Sequence, residues 1–220
     1  MARIYPSLIS GDILNIRHEL EQFDPICPGY HLDVMDFNFV PNLTWGPTFI
    51  NAIATQTKRQ LWVHLMVQKP DELLPRFKLP AQTMIDFHLE NNVDTLKTIS
   101  LITENNWLPG LAISPKTSVE KSFEFLKQVH QVTIMSVEPG FSGQSFIESS
   151  LTKIEQLAAY RTQHNLKFKI AVDGGITSNN IQHIITAGAD IVAAAAAIFH
   201  APHPVDAYKQ LEAQATRVKK

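Results

Sequence analysis

Tyr30–Met35, YHLDVM, is an apolar run of strand length broken only by a histidine and an aspartate. A run this short and this apolar reads as a strand buried on both faces, the kind found in parallel sheets covered by helices. Side chains alternate along a strand, so His31, Asp33 and Met35 share one face, with His31 and Asp33 about 6.5–7 Å apart along it. The residues that follow, DFNFVPN (36–42), end the strand and bring a second carboxylate, Asp36. It is out of phase with Asp33 and reads as a loop-capping or supporting group.

Seven comparable runs stand on either side of it: RIYPS (Arg3–Ser7), LWVHLM (Leu61–Met66), TMIDFH (Thr83–His88), LPGLAI (Leu108–Ile113), QVTIMSV (Gln131–Val137), FKIAVD (Phe168–Asp173) and DIVAAA (Asp190–Ala195). The segments between them are long enough for crossover helices. SLTKIEQLAAYRTQHN, for example, places Leu151, Ile154, Leu157 and Ala158 at helical spacing. Eight βα units closing on themselves remove the edges an open sheet would expose, so the expected fold is α/β, a single-domain (β/α)8 TIM barrel over residues 1–220. An open doubly wound sheet is the structural alternative, but SLISGDI, after the first run, has one glycine and no GxGxxG fingerprint.

A chain of 220 residues, 45% hydrophobic and with net charge −2, can bury such a core and carries no electrostatic footprint for nucleic acid. The basic tail RVKK (217–220) is too short to change that. Cys27 is the only cysteine, so no intrachain disulfide forms, and a reducing compartment, the cytoplasm, is expected. MARIYPSLIS lacks the charged and apolar regions of a secretory signal, and the longest apolar block, Ile191–Phe199, falls far short of the roughly 20 residues that span a bilayer. A small-molecule partner is expected, with neither nucleic acid nor membrane.

In a TIM barrel chemistry sits at the carboxyl ends of the strands, where this chain has His31, Asp33, His64 and Asp173. Two imidazoles and two carboxylates suit Zn²⁺, Fe²⁺, Mn²⁺ or Co²⁺. They also read as satisfied core histidines with loop-capping aspartates, and Met35, Met66 and Met135 read as ordinary core filler. Glycine-containing turns follow the sixth and seventh runs, EPGFSGQ (138–144) and DGGITSNN (173–180), and an alanine block ends the eighth. Loops there form the frequent phosphate site of this barrel, though such turns are also common in loops that bind nothing.

In order along the chain, PSLIS, HLDVMDFNFVPN, VHLMVQKP, FHLE, GLAISPKTSVE, IMSVEPGFSGQSF and VDGGI closely resemble the ribulose-phosphate 3-epimerases of the ribulose-phosphate-binding barrel family. The resemblance implies interconversion of D-ribulose 5-phosphate and D-xylulose 5-phosphate with one divalent metal ion and no nicotinamide or flavin. It implies metal ligands at His31, Asp33, His64 and Asp173, with Asp33 and Asp173 also the catalytic acid/base pair. Substrate contacts are implied at Ser7, at His64, at an apolar cap of Met35, Met66 and Met135, and at the loop residues Gly140, Phe141, Ser142, Gly143, Gly174, Gly175, Ala195 and Ala196. His88 matches the family's FHLE but also reads as a supporting residue behind the ligands. A homo-oligomer is a further expectation from the resemblance.

Two departures stand out. Family members usually have Gly-Ser where this chain has Ala195 and Ala196, which removes a hydroxyl from the expected phosphate site and adds strain if the glycine is needed at positive φ. Ser142 stands where glycine is more frequent and offers a replacement hydroxyl. Phe37 takes the glycine position of the family's MDG, where it either narrows access or packs on a neighbouring loop. The rival functions are a hexulose-phosphate 3-epimerase, such as one for D-allulose 6-phosphate, and a catalytically silent sugar-phosphate-binding relative. A metal-free phosphate barrel would leave the His and Asp set unexplained.

Overall fold

The computed structural model describes residues 2–91 and 93–217, so Val218–Lys220 of the basic tail lie outside the described residues. Eight strands form one parallel sheet: β1 (Arg3–Pro6), β2 (Gly29–Met35), β3 (Gln60–Met66), β4 (Met84–His88), β5 (Leu108–Ile113), β6 (Gln131–Met135), β7 (Lys169–Asp173) and β8 (Ile191–Ala194). Each coincides with one of the eight apolar runs. Their spatial order is β1-β8-β7-β6-β5-β4-β3-β2, and the two end strands meet through a parallel bridge between Ser7 and His31. The barrel therefore closes at its seam on two of the residues the sequence singled out.

Helices α1 (Ile16–Phe23), α2 (Pro47–Gln56), α3 (Pro70–Leu73), α4 (Thr95–Glu104), α5 (Ser150–Gln163), α6 (Ile181–Ala187), α7 (Ala196–Phe199) and α8 (Pro204–Thr216) surround the sheet. Among the described residues, no helix is long and apolar enough to cross a membrane. Two crossovers differ from the expected helix. α3 is one turn, followed by a 3-10 turn at Leu74–Arg76 that contains Pro75, whose ring cannot continue an α-helix. Between β5 and β6 the connection is a 3-10 helix, Val119–Phe125. Val119, Ser122 and Phe125 are its buried residues, and their three-residue spacing fits a helix of three residues per turn better than one of 3.6.

The strand alternation sorts side chains into layers. Leu32, Val34, Val63, Leu65, Ile85 and Phe87 point outward into the main core under the helices, whereas Tyr5, Trp62, Met84 and Ile191 fill the barrel interior. His31 lies beside Trp62 on the inward face, Asp33 and His64 come above them, and at the mouth Met35 and Met66 pack with Val40. Parallel pairing sets Asp33 beside His64, Met35 beside Met66 and Met135 beside Asp173. The register sets Asp33 and His64 at one level, with His31 beside Trp62 one inward position below.

Candidate active site

His31 and His64 are fully buried, Asp33 is nearly so, and the Asp173 side chain is 15% exposed. One donor atom from each of the four lies within 4.8 Å of the others. His31 Nε2 is 3.8 Å from Asp173 Oδ2, and His64 Nδ1 is 3.3 Å from both Asp33 Oδ1 and Asp173 Oδ2. Neither nitrogen makes a directed hydrogen bond among the described residues. Buried polar atoms are seldom left so, and two bare imidazole nitrogens facing two carboxylates are a donor set that a divalent cation of the zinc, iron, manganese or cobalt type would complete. The satisfied-core reading of the histidines would leave both of these nitrogens bare.

The opposite nitrogen of each ring is occupied. Ser7 Oγ lies 2.9 Å from both Asp33 Oδ2 and His31 Nδ1. Its hydroxyl has one hydrogen, which goes to the carboxylate, so the oxygen accepts from His31 Nδ1–H and the Nε2 lone pair faces the cluster. Ser7 lines the cavity, as a substrate contact requires, yet its hydroxyl is already committed to orienting His31 and Asp33. His64 Nε2 is 2.9 Å from His88 Nε2. Burial alone would push the Asp33 carboxyl up, but His31 and His64 hold it well below the usual carboxylate range. Burial likewise opposes charge on His64, yet the Asp173 and Asp33 carboxylates beside it raise it to about 10. Burial lowers His88 to about 4.

Above the cluster opens a cavity of about 160 Å³, against the ~10–15 Å³ that one water needs, which suits a small metabolite. Asp33 and Asp173 reach its floor from β2 and β7, three strand positions apart around the barrel. Met35, Met66 and Met135 line it, as do Gly140, Phe141, Ser142, Gly143, Gly174, Gly175, Ala195 and Ala196. His64 does not: it lies buried in the His/Asp cluster, so the cavity wall is closed by its neighbours. The turn after β7 needs its glycines, because Gly174 and Gly175 have φ of +114° and +64°, and a Cβ on Gly175 would come within 2.6 Å of the Phe146 backbone.

Ala195 has φ −110°, so no left-handed strain arises there, and the lost serine hydroxyl is the remaining consequence. Ser142 points its hydroxyl at Ser10, 2.6 Å away, which ties the β6–α5 loop to the loop after β1. Phe37 does sit at φ +60°, the conformation a glycine would take freely, but its side chain is 68% exposed and does not line the cavity. Asp36 caps its loop, accepting from the N–H groups of Asn38, Phe39 and Gln68. Ser10, Glu90 and Thr177 escaped the sequence reading. Thr177 lines the cavity, and its place in DGGIT, two residues past the glycine turn, was the available signal.

Fold and site together define a TIM-barrel enzyme whose chemistry sits at the carboxyl ends of its strands. Residues 3–199 match the sequence pattern of the Ribulose-phosphate 3 epimerase family. The chain is 36% identical to a ribulose-phosphate 3-epimerase of Aquifex aeolicus, covering 100% of this chain and 96% of that protein, and 34% identical to one of Escherichia coli K12, covering 90% and 89%. It belongs to the ribulose-phosphate 3-epimerase family, and is with it an isomerase. Among solved structures, 3-hexulose-6-phosphate synthase from Salmonella typhimurium superposes with TM-score 0.71 at 14% identity, covering 98% of this chain and 99% of that one. KGPDC from Streptococcus mutans gives 0.70 at 10% identity, covering 100% and 99%. These two likenesses speak for the barrel alone.

Proposed function

We propose that the protein interconverts D-ribulose 5-phosphate and D-xylulose 5-phosphate, with Asp33 and Asp173 exchanging protons at C3 from opposite faces. The observation that carries this is the entry of two carboxylates into one cavity floor from separate strands. One carboxylate removes the C3 proton, the bonding pair moves toward the C2 carbonyl to give an enediolate, and the other carboxyl group returns a proton to the opposite face. The carboxylates end each turnover with their protonation states exchanged. His31, Asp33, His64 and Asp173 would hold a divalent ion, which supplies Lewis-acid stabilisation of the negative charge that develops on the substrate oxygens. Met35, Met66 and Met135 cover the reacting carbons without offering exchangeable protons and keep water away. The turn at Gly174 and Gly175, with Ser142, Ala195 and Ala196, receives the phosphate.

The test is proton NMR of the Zn²⁺-loaded protein in D₂O, first with D-ribulose 5-phosphate and then with D-allulose 6-phosphate. Deuterium at C3 together with D-xylulose 5-phosphate is the expected result. Exchange on the hexose alone would move the assignment to the rival epimerase, and silence on both would overturn the reading.

Restoring the family's serine by Ala196→Ser should tighten the phosphate end. A hydrogen bond to a charged group contributes about 1.5–3 kcal/mol, so KM is expected to fall about tenfold or more with kcat little changed. Unchanged KM would show that Ser142 or backbone donors already suffice.

A further inference from the structure

Behind His64 runs a buried polar chain that the proton chemistry does not use. His64 Nε2 and His88 Nε2 are 2.9 Å apart, with the rings inclined by 23°. His88 Nδ1 is 3.1 Å from Glu90 Oε2 and 3.3 Å from Ser114 Oγ, while Glu90 Oε1 accepts the Ser114 N–H at 2.9 Å. The loop that supplies Ser114 is itself clamped: Lys153 Nζ, from α5, donates to the carbonyls of Ser114, Pro115 and Thr117 at 3.1, 2.5 and 2.6 Å. Phe39 covers the His88 ring, with centroids 4.7 Å apart.

The direction of every hydrogen bond in this chain follows from its outer end. A carboxylate can only accept, so Glu90 requires the hydrogen of His88 on Nδ1. His88 Nε2 then has a lone pair and accepts from His64 Nε2–H. That assignment leaves His64 Nδ1 as the nitrogen facing Asp33 and Asp173. In the reverse tautomer His64 Nε2 would have to accept, its hydrogen would sit on Nδ1 in the middle of the ligand cluster, and no cation could use that nitrogen. We propose that Glu90 and His88 are positioning residues which, through this relay, fix the ring plane and tautomer of His64 so that Nδ1 is available as a metal ligand. The inference rests on the metal-binding reading above. It makes the arrangement on β3 and β4 the counterpart of Ser7, which orients His31 from the other side of the cluster. Groups of this kind behind a histidine ligand commonly change metal affinity by 10–100-fold.

Two measurements test it, and the first needs no variant. Long-range ¹H–¹⁵N NMR of the Zn²⁺-loaded protein reads which nitrogen of each histidine bears hydrogen. Hydrogen on Nδ1 of His88 is expected, and hydrogen on its Nε2 would overturn the relay. The second is competition titration with Zn²⁺, comparing the wild-type chain with Glu90→Gln. An amide NH₂ presented to His88 Nδ1 favours the reverse tautomer, so affinity is expected to fall about 10–100-fold while circular dichroism stays unchanged. Equal affinity in the two proteins would overturn the positioning role. A wild-type chain that binds no Zn²⁺ would instead remove the metal reading itself, and the two failures are thereby told apart.

Discussion

Asp173→Asn is expected to lower epimerase turnover by about 10²–10⁴-fold, the usual contribution of a positioned acid/base group, while the barrel stays folded. Asparagine nearly matches aspartate in shape, and the position is 15% exposed at the end of β7, so little packing is lost. A Tm change below about 4 °C is expected, the shift that about 1 kcal/mol produces in a chain of this size. The amide can neither take nor return a proton at C3. Isotope exchange separates this from a general loss of the site: with Asp33 alone, one epimer should still exchange its C3 hydrogen with D₂O, and neither should be converted into the other. Zinc content after loading is the companion measurement, because Asp173 is also proposed as a ligand. Retained zinc with lost conversion assigns the loss to proton transfer, and lost zinc assigns it to the ligand role. Turnover like that of the wild type would remove Asp173 from the mechanism.

Much of this site was legible because strand periodicity is strict. Once YHLDVM and LWVHLM are strands, His31 and Asp33 share a face with Met35, and His64 shares one with Met66. What one strand's pattern cannot give is register between strands. That Asp33 lies beside His64, and that Ser7 bridges to His31 at the seam, depends on how the barrel closes. Loop conformation was equally out of reach. Alanine at 195 would add strain only at a positive φ, a condition the sequence could not decide and the φ of −110° does not meet. For Phe37 the sequence left open a narrowed mouth or packing on a neighbouring loop, and only the structure shows the residue at φ +60° and 68% exposed. Glu90 lay in plain view in FHLE, but its role depends on a loop from the next βα unit folding over it, a contact 24 residues away in sequence.

Asp86 illustrates the same limit and carries the largest expected effect on stability. In TMIDFH it stands in phase with Met84 and His88, so an inward-facing carboxylate could be read, but its partners could not. It is fully buried and accepts hydrogen bonds from Trp62 Nε1 at 2.8 Å, from Gln131 Nε2 at 2.8 Å and from Thr133 Oγ1 at 2.5 Å. Burial pushes its pKa up against these donors and against the nearby His64, each of which favours the anion. The neighbouring strand makes room by having Gly110, where a Cβ would come within 1.8 Å of Asp86 Oδ1. Truncation to alanine would orphan three donors from two strands, at about 1–3 kcal/mol each, and leave a cavity besides. Asp86→Ala is therefore expected to cost about 4 kcal/mol or more, a fall in Tm of about 8–16 °C in a chain of this size. The damage should reach the site, because Trp62, held by Asp86, packs edge-on against the His31 ring with centroids 4.4 Å apart. Thermal unfolding of Asp86→Ala beside Asp86→Asn decides the matter. The asparagine variant retains one acceptor and should lose about half as much, and a loss below about 1 kcal/mol in the alanine variant would show that the donors find other partners.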